Sequence, residues 1–382
     1  SGAVTTAKIA DDAVSSAKLF STNLGRRNII INGAMEIAQR AHNTASTGQG
    51  ASSNFLVDRF KANHNGNSAG RYTVSRVADK HDGFYRALKY ECTTADTSIA
   101  AAERFFIEQP IEGQFLQGFR KGASDAKDFV LSFYAKANGN FTYVVGFYDA
   151  DNNRTVSRTF AVTSSWQRFE INFGADTSGA FDTDGALSLQ VRWYLHAGSN
   201  YTGGTLQTSW DAVTNNKTAG GMTSSFFSST SNTFFLTGVQ LEVGDKSDGT
   251  SVATPFEHRT FAEYLTACER YYQKSYNMGN LPGSNSSAGG VMERNTNAAN
   301  ISNRMDAGTR FVTRMRGTPT VTIYSLTGTV NNISDLSTAT GHQSNQGVNS
   351  IQHRGTTGFG GLVISGGNDE GIAYQYTAEA EI

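Results

Sequence analysis

Residues Phe141 to Val162 read FTYVVGFYDADNNRTVSRTFAV, and this stretch favours a β-hairpin. Phe141, Tyr143 and Val145 are separated by single residues, so in an extended strand they share one face. The segment from Asp149 to Asn153 consists of Asp, Ala and Asn, and Asp and Asn favour tight turns. A run with β-branched and aromatic residues follows the turn. The stretch therefore predicts two antiparallel strands joined by a short connection.

Similar runs, separated by Gly, Asn and Asp, continue on both sides of this hairpin. The chain has 382 residues with 40 Gly, only 4 Pro, 24 Phe and 15 Tyr, a composition typical of β proteins with many turns. Many short strands at this spacing predict a mainly β fold, with a two-sheet β-sandwich or jelly roll as its main part. The expected strands are Arg71–Val77, Tyr85–Cys92, Phe129–Lys136, Phe141–Tyr148, Arg154–Val162, Arg168–Phe173, Leu187–Leu195 and Thr233–Leu241.

The balance of charges indicates which classes of binding partner to expect. The chain has 32 Lys and Arg against 33 Asp and Glu, a formal net charge of −1. Such a chain produces no long-range field of either sign, so we expect neither nucleic acid nor an anionic membrane surface as a partner. No apolar run approaches the roughly 18 residues of a membrane-spanning helix, so no membrane insertion is expected. Cys92 and Cys268 have no metal-type spacing, and we expect both to be buried thiols; a disulfide between them is the alternative.

The N-terminal segment AVTTAKIADDAVSSAKLF, Ala3 to Phe20, contains a ten-residue unit twice. Its large apolar side chains Val4, Ile9, Val14 and Leu19 recur every five residues. A step of five turns a side chain by about 140° on a helix and changes the face on a strand, so one chain cannot bury all four. Several identical chains around one axis could bury them, which favours the shaft of a symmetric fibre. A disordered terminus is the alternative.

A single helix is expected within the β pattern. Thr260 and Glu263 have the spacing of a capping box, in which each side chain accepts a bond from a free backbone amide. The helix is predicted to run from Thr260 to Ser275. Its expected apolar stripe consists of Phe261, Leu265, Cys268 and Tyr272.

The composition after Tyr276 shifts to Asn, Ser and Gly, and further strand-like pieces predict a second, smaller β domain. Its expected strands are Arg310–Arg314, Thr320–Ser325, Val348–His353, Gly361–Ser365 and Ile372–Ile382. The predicted organisation is shaft repeats and a joint at 1–27, a jelly-roll-like β-sandwich at 28–258, a connecting amphipathic helix at 259–275 and a C-terminal β head domain at 276–382.

After the repeats, a series of motifs follows: RNIIINGAMEIAQR at 27–40, NFLVDRF at 54–60, IEQPIEG at 107–113, VLSFYAKAN at 130–138, SSWQRFEINF at 164–173, FFLTGVQLEVG at 234–244 and ATPFEHRTFAEYLTACERYYQKS at 253–275. In NFLVDRF, we expect Asp58 and Arg59 to pair with charges inside the fold while Val57 and Phe60 pack. The order of these motifs resembles that of the tail fibre and related virion fibre proteins of tailed bacteriophages, over roughly residues 3–275.

This resemblance implies a homotrimer in the virion, assembled in the host cytoplasm and joined to a tail or baseplate protein through its N-terminal side. It implies that the sandwich is similar to the jelly roll of carbohydrate-binding modules. It also implies that the distal part recognises a host-surface glycan or an outer-membrane protein. The expected function is therefore non-catalytic attachment to a host receptor. A polysaccharide-depolymerising tailspike and a structural or decorating fibre without a receptor role are the alternatives.

Exposed aromatic side chains are common contacts for sugars, and one region of the sequence is rich in them. Because neighbouring side chains on a strand point to opposite faces, either Trp193 or Tyr194 faces away from the core. The alternative is that both are buried. The loops at 276–290 and 331–349 are further candidates, since loops on a rigid scaffold often carry recognition. The candidate glycan contacts are Trp193, Tyr194, Tyr201 and Trp210.

The sequence offers little for catalysis or cofactors, and we expect neither an enzyme nor a bound cofactor. Glu108 and Glu112 are the most suggestive carboxylate pair, but four residues of extended chain span roughly 13 Å. A glycosidase needs roughly 5 to 9.5 Å. The seven histidines show no paired metal-binding spacing. A weak calcium candidate is the turn with Asp149, Asp151 and Asn153, although a hairpin turn favours the same residues.

Overall fold

The computed structural model describes residues 26–41, 46–50, 55–294, 308–336, 343–365 and 371–382. The N-terminal repeats, and with them the predicted shaft, lie outside the described residues. The chain divides into two compact units. The first takes its residues from Ser1–Met35, Ala45–Asn54 and Phe60–Arg259, and the second from Glu36–Thr44, Phe55–Arg59 and Thr260–Ile382. This division differs from the predicted one, because two short segments from within 28–258 belong to the second unit.

The first unit contains two antiparallel sheets of six strands each. The first sheet has the strand order β1-β3-β4-β12-β6-β9 and the second the order β11-β8-β7-β10-β5-β2. In the described part of this unit, one short helix, α1 (Ser199–Thr202), and four 3₁₀ turns (Gly113–Phe115, Gln117–Phe119, Asn215–Lys217 and Phe226–Ser228) connect them. The strands are β1 (Ser46–Gln49), β2 (Lys61–Asn65), β3 (Arg71–His81), β4 (Phe84–Thr94), β5 (Arg104–Glu112), β6 (Phe129–Ala137), β7 (Phe141–Asp149), β8 (Arg154–Val162), β9 (Gln167–Phe173), β10 (Leu187–Ala197), β11 (Asp211–Ala212) and β12 (Thr233–Val243).

The hairpin predicted for residues 141–162 is present in the second sheet. Strands β7 and β8 pair in register from Phe141 opposite Val162 to Asp149 opposite Arg154, so the predicted hairpin is confirmed. The mainly β fold and its sandwich are confirmed as well. All eight strands expected in this region are present, and most of them extend a few residues beyond the predicted bounds.

Aromatic side chains from both sheets fill the core of the sandwich. Phe133 of β6 packs against Phe160 of β8, with ring centroids 5.3 Å apart, and against Trp193 of β10 at 5.7 Å. Tyr143 of β7 lies 5.8 Å from Phe234 of β12. All five side chains are at most 4% exposed. Burying an aromatic side chain of this kind contributes about 1.5–3 kcal/mol, so this layer holds the two sheets together.

The second unit contains the smaller C-terminal sheet that the sequence predicted. Its central strand, β21, pairs with β13, β14, β16 and β17, while β18 and β20 extend the sheet beyond β17. Its core includes Ile323, Ile333, Leu362 and Tyr374. The strands are β13 (Tyr272–Lys274), β14 (Val291–Arg294), β15 (Thr309–Arg310), β16 (Thr320–Tyr324), β17 (Asn332–Leu336), β18 (Gln343–Gln352), β19 (Gly358–Phe359), β20 (Gly361–Ile364) and β21 (Gly371–Glu379).

The helix of the second unit, α2 (Phe261–Glu269), is shorter than predicted. Its capping box is confirmed: the Thr260 hydroxyl accepts a bond from the Glu263 amide, and the Glu263 carboxylate accepts one from the Thr260 amide. The predicted extension to Ser275 is wrong, because residues 272–274 pair with β21 as strand β13. The expected stripe is confirmed at Cys268, which is buried, and wrong at Phe261, which is 52% exposed; the helix also buries Tyr264.

The charged residues of the NFLVDRF motif are buried in the second unit, as predicted. Asp58 accepts bonds from the backbone amide of Gln39, at 2.9 Å, and from its side-chain amide, at 2.7 Å. The Arg40 guanidinium lies 3.8 Å from the same carboxylate, and Arg59 pairs with Glu381. Asp58 and Arg59 are each 1% exposed. The apolar residues of the motif are buried too: Val57 and Phe60.

Both cysteines, Cys92 and Cys268, are buried free thiols, which confirms the prediction. Burial raises the pKa of the Cys92 thiol to about 11, so this group is neutral at physiological pH. Within the described part of the chain, no helix has the length and apolarity that crossing a membrane requires.

Candidate functional site

The outer face of the first sheet carries a cluster of aromatic side chains, here called the aromatic platform, formed by His81, Tyr134, Trp166 and Phe235. His81 ends β3, Tyr134 lies on β6, Phe235 lies on β12, and Trp166 immediately precedes β9. Side chains on a strand alternate between faces, and Phe234 next in sequence to Phe235 is fully buried in the core. Pairing of β6, β9 and β12 in one sheet therefore places these rings side by side on the opposite face.

The rings of the platform form one continuous surface. His81 and Trp166 are stacked, with centroids 5.5 Å apart and an angle of 14° between their planes. Tyr134 meets His81 edge-on at 5.2 Å, and Phe235 meets Trp166 edge-on at 6.1 Å. Tyr134 is buried, whereas His81, Trp166 and Phe235 remain partly exposed. The platform thus presents ring surface to solvent on a rigid sheet.

Polar groups lie directly beside the exposed rings. The Asp79 carboxylate is 2.6 Å from the Lys136 ammonium and accepts a 3.3 Å bond from the Trp166 indole nitrogen. Lys136 in turn lies 5.0 Å from the Trp166 ring centroid and 4.7 Å from that of Phe235. Burial alone would raise the pKa of Asp79, but the bonds from Lys136 and Trp166 outweigh it and lower the pKa. Asp79 is therefore ionised at neutral pH and orients the indole.

The β3–β4 turn borders the platform. Asp82 and Gly83 both have positive φ, 44° and 86°, which matches a two-residue hairpin turn of the primed type. The Tyr134 hydroxyl donates to the Asp82 carboxylate, and burial together with this carboxylate raises the pKa of Tyr134 to about 12. A shallow depression of about 370 Å³ lies along the turn, lined by residues 80–85. Tyr85 is 46% exposed at this depression.

The charges around the platform balance one another. Besides the Asp79–Lys136 pair, Lys89 on β4 lies 2.6 Å from Glu91, and Arg168 on β9 pairs with Glu170. This near-neutral surface suits an uncharged ligand with many hydroxyl groups better than a polyanion. Ring faces can cover the apolar face of such a ligand, while carboxylate, ammonium and indole groups can bond to its hydroxyls.

Two of the sequence-predicted contacts, Trp193 and Tyr194, lie on β10 of the second sheet. Trp193 is 0% exposed between the sheets, so it has no surface to present to a sugar. Tyr194 points to the outer face, as strand alternation requires, yet it is only 4% exposed. It belongs to a cluster with Phe106 and Ala219, against which Tyr201 packs, so residues 199–222 cover it.

The other two candidates, Tyr201 and Trp210, lie within this covering segment and are partly buried. The Arg104 guanidinium lies 4.8 Å from the Tyr201 ring centroid. The Trp210 indole donates a 2.9 Å bond to the Gly174 carbonyl, and its ring centroid lies 5.1 Å from that of Phe129. Contacts of this kind hold side chains in the fold. That Tyr201 and Trp210 contact a glycan stays a prediction.

Sequence reasoning did not single out Trp166 as a candidate contact. The residue stands between two serines and the next strand, which is a position where a tryptophan ring can remain exposed. The Asp82-Gly83 pair is a strong hairpin signal that would have extended β3 as far as His81. Neither signal shows that β3, β6 and β12 share a sheet, because that pairing joins residues far apart in sequence.

Glu108 and Glu112, the carboxylate pair most suggestive of catalysis, both have polar partners in the structure. Both lie on the extended strand β5. Glu108 is 3.3 Å from the Lys61 ammonium and 3.3 Å from the Arg192 guanidinium. Glu112 is 0% exposed and accepts a bond from the Gln114 side chain. Both glutamates are therefore buried polar residues whose side chains have partners inside the sandwich.

A lysine pairs with one of the calcium candidates beside the acidic turn. The Lys121 ammonium is 2.7 Å from the Asp149 carboxylate, 3.1 Å from that of Asp176, and donates to two backbone carbonyls at 2.6 and 2.8 Å. Lys121 and Asp149 are both buried. Asp151 accepts a bond from a backbone amide, and Asn153 accepts one from a tyrosine hydroxyl. Calcium binding by these three residues stays a prediction.

No protein-family model matches this sequence, and no curated protein matches it. Among solved structures, the chain is similar to a CBM4 structure, with 11% identity and a TM-score of 0.28 over 54% of this chain and 99% of that one. A family 11 carbohydrate-binding module from Clostridium thermocellum, in complex with a β-1,3-1,4-mixed-linked tetrasaccharide, matches with 11% identity and a TM-score of 0.26 over 56% of this chain and 98% of that one.

The enzymatically active domain of tailspike protein 4 from bacteriophage CBA120 matches with 11% identity and a TM-score of 0.28. The match covers 57% of this chain but only 21% of the tailspike chain. All these similarities are distant.

Proposed function

We propose that the chain is a non-catalytic tail fibre protein of a bacteriophage, which attaches to a host cell by binding surface glycan on the aromatic platform. The observation that carries the proposal is the partly exposed stack of Trp166 on His81 beside the Asp79–Lys136 pair. The order of sequence motifs, which resembles that of phage fibres, supports the assignment to a virion.

The chemistry of the platform supports a neutral glycan. A pyranose ring has one apolar face that packs on an aromatic ring and a rim of hydroxyls that need donors and acceptors. Trp166 supplies the ring, Asp79 supplies an acceptor, and Lys136 supplies a donor. Because Asp79, Glu91 and Glu170 each pair with a cation, these three pairs do not favour an anionic ligand over an uncharged one.

Weak sites become useful when several act together. A shallow platform on one chain binds a sugar weakly, but linked copies multiply the strength of attachment when they engage one surface together. The five-residue apolar repeat between Ala3 and Phe20 favours such an assembly, for which we propose a homotrimer joined to the tail by its N-terminal side. Light scattering on the intact chain tests this, and a monomer at micromolar concentration would contradict it.

The engagement of Glu108 and Glu112 supports binding without cleavage. A glycosidase needs one carboxylic acid to donate a proton and a second carboxylate to act as nucleophile or base. Glu108 faces Lys61 and Arg192, and both Glu108 and Glu112 are 0% exposed, so neither carboxylate can reach a glycosidic bond. Release of reducing sugar from a host polysaccharide by the purified chain would overturn this part of the proposal in favour of a depolymerase.

The decisive experiment compares two variants on a glycan array and on host cells. Trp166→Ala removes the centre of the platform, and we expect it to weaken glycan binding at least about tenfold, which corresponds to about 1.4 kcal/mol. Tyr148→Ala is the matched control, since Tyr148 is a partly buried aromatic on the outer face of the second sheet. The control should bind as the unaltered chain does.

Equal binding by the unaltered chain and by Trp166→Ala would remove the platform from the proposal. If the intact chain bound no glycan and no host cell, a structural fibre without a receptor role would be the better assignment.

A further inference from the structure

Three side chains that commonly bind metal ions meet in the first unit, away from the platform: Asp96, Glu103 and His196. One ligand atom from each lies within 4.8 Å of the other two. Asp96 and Glu103 are 5% exposed and His196 is 0% exposed. They are brought together by the fold, because Asp96 follows β4, Glu103 immediately precedes β5, and His196 lies on β10 opposite Phe105 of β5.

Both ring nitrogens of His196 face polar groups. Its Nδ1 is 2.8 Å from the Ser225 hydroxyl, and its Nε2 is 3.3 Å from a Glu103 carboxylate oxygen. Metal-binding histidines have this arrangement: one ring nitrogen bonds to a neighbouring polar group while the other carries the lone pair for the ion.

The neighbouring carboxylates lack a protein cation. Asp96 accepts bonds from the Ser68 hydroxyl and from the backbone amides of Ala69 and Ser98. In the ranges that the structure describes, neither Asp96 nor Glu103 lies within 4.0 Å of a Lys or Arg nitrogen. Buried carboxylates of this kind require a proton or a bound cation.

We infer that Asp96, Glu103 and His196 bind a divalent transition-metal ion of the zinc type. The 3.3 Å between Nε2 and the Glu103 oxygen is close to the roughly 3.4 Å between two ligand atoms that are each about 2.1 Å from a tetrahedral zinc ion. One nitrogen and two carboxylates suit zinc and its neighbours in the first transition row. Calcium and magnesium prefer ligand sets made of oxygen alone. This inference does not depend on glycan binding.

An ion at this position would cross-link the sandwich. Asp96 and Glu103 lie at the two ends of the connection between β4 and β5, so one ion would fix that connection to β10. An ion that binds only the folded chain stabilises it in proportion to the logarithm of its concentration.

The test uses the full chain, freed of metal with EDTA and then dialysed into buffer without EDTA. Calorimetric titration with zinc chloride is expected to give one ion per chain and a higher melting temperature. Glu103→Gln keeps the shape of the side chain but removes its charge, and we expect it to bind zinc at least about 100-fold more weakly. Glu91→Gln is the matched control, because Glu91 is a carboxylate in the same unit that pairs with Lys89.

Cobalt provides a readout that does not depend on any variant folding. Tetrahedral Co²⁺ absorbs strongly in the visible range, and zinc should displace this absorption from the unaltered chain. The inference is overturned if the unaltered chain takes up no zinc and develops no cobalt band. It is also overturned if Glu103→Gln binds zinc as tightly as Glu91→Gln, since the carboxylates would then share protons and not an ion.

Discussion

The outer faces of the two sheets in the first unit have similar aromatic side chains but different surroundings. On the second sheet, residues 199–222 pack over Phe106 and Tyr194, and Tyr194 is 4% exposed. On the first sheet, Trp166 and Phe235 keep part of their ring surface in solvent. The difference shows that strand alternation decides which side chains leave the core, whereas a covering segment decides whether they stabilise the fold or remain accessible.

The largest expected effect is on the covered face. Tyr194→Ala should lower the free energy of unfolding by about 3 kcal/mol, because it leaves a cavity beneath residues 199–222. Urea denaturation followed by fluorescence measures this, and Tyr148→Ala on the same face should cost less since Tyr148 is only partly buried. A loss below about 1 kcal/mol for Tyr194→Ala would mean that the segment does not seal this face.

Acid should lower the stability of the folded chain, because His196 on the second sheet is harder to protonate in the fold than in the unfolded chain. The pKa of His196 is about 4 in the fold and about 6.5 in an unfolded chain, so the unfolded chain takes up the proton first. Stability therefore falls as the pH drops below about 6.5, and this group contributes a loss of about 2 kcal/mol between pH 7 and 5. Urea titrations in EDTA should show a shallower pH dependence for His196→Gln; an unchanged slope would contradict the assignment.

A smaller effect is expected on the open face. Asp79→Asn removes the partner of Lys136 and weakens the acceptor for the Trp166 indole, so we expect a threefold to tenfold loss of glycan affinity, about 1 kcal/mol. The unfolding free energy should change by less than that, because the Asp79 and Lys136 side chains are 27% and 20% exposed. Asp125→Asn, which removes a carboxylate paired with Arg120 in the connection between β5 and β6, should retain affinity. If both variants bound equally, Asp79 would not position the indole.

The smallest effect concerns salt. Because the charges of the platform pair with one another, raising sodium chloride from 50 to 500 mM should change glycan affinity by less than about twofold. Titration at the two concentrations by calorimetry checks this. A steep loss of affinity with salt would show instead that an anionic ligand binds through Lys89, Lys136 or Arg168.

The local pattern of residues predicted the strands well, but it did not predict the residues of the candidate binding sites. The alternation in 141–162 predicted β7 and β8 together with the turn between them, because neighbouring residues specify a hairpin. It also predicted correctly that Trp193 and Tyr194 face opposite sides of β10. It did not predict that residues 199–222 would cover Tyr194, since that packing depends on side chains from another part of the chain.

The helix illustrates the same limit. Thr260 and Glu263 interact within one turn, so the capping box could be predicted from four residues. Its C-terminal end could not, because residues 272–274 form backbone bonds to β21, about 100 residues away in sequence. A local apolar pattern that fits a helix was overridden by a strand partner.

The sequence by itself determined the mainly β class, the hairpin and the capping box, because each follows from residue type and from spacing along a few residues. Only the tertiary structure decided which side chains come together in the aromatic platform and in the candidate metal site. The order of strands in the first sheet brings His81, Trp166 and Phe235 together, and β5 and β10 bring Glu103 to His196. Both arrangements depend on pairing between distant segments, whose energy lies in contacts that no single stretch contains.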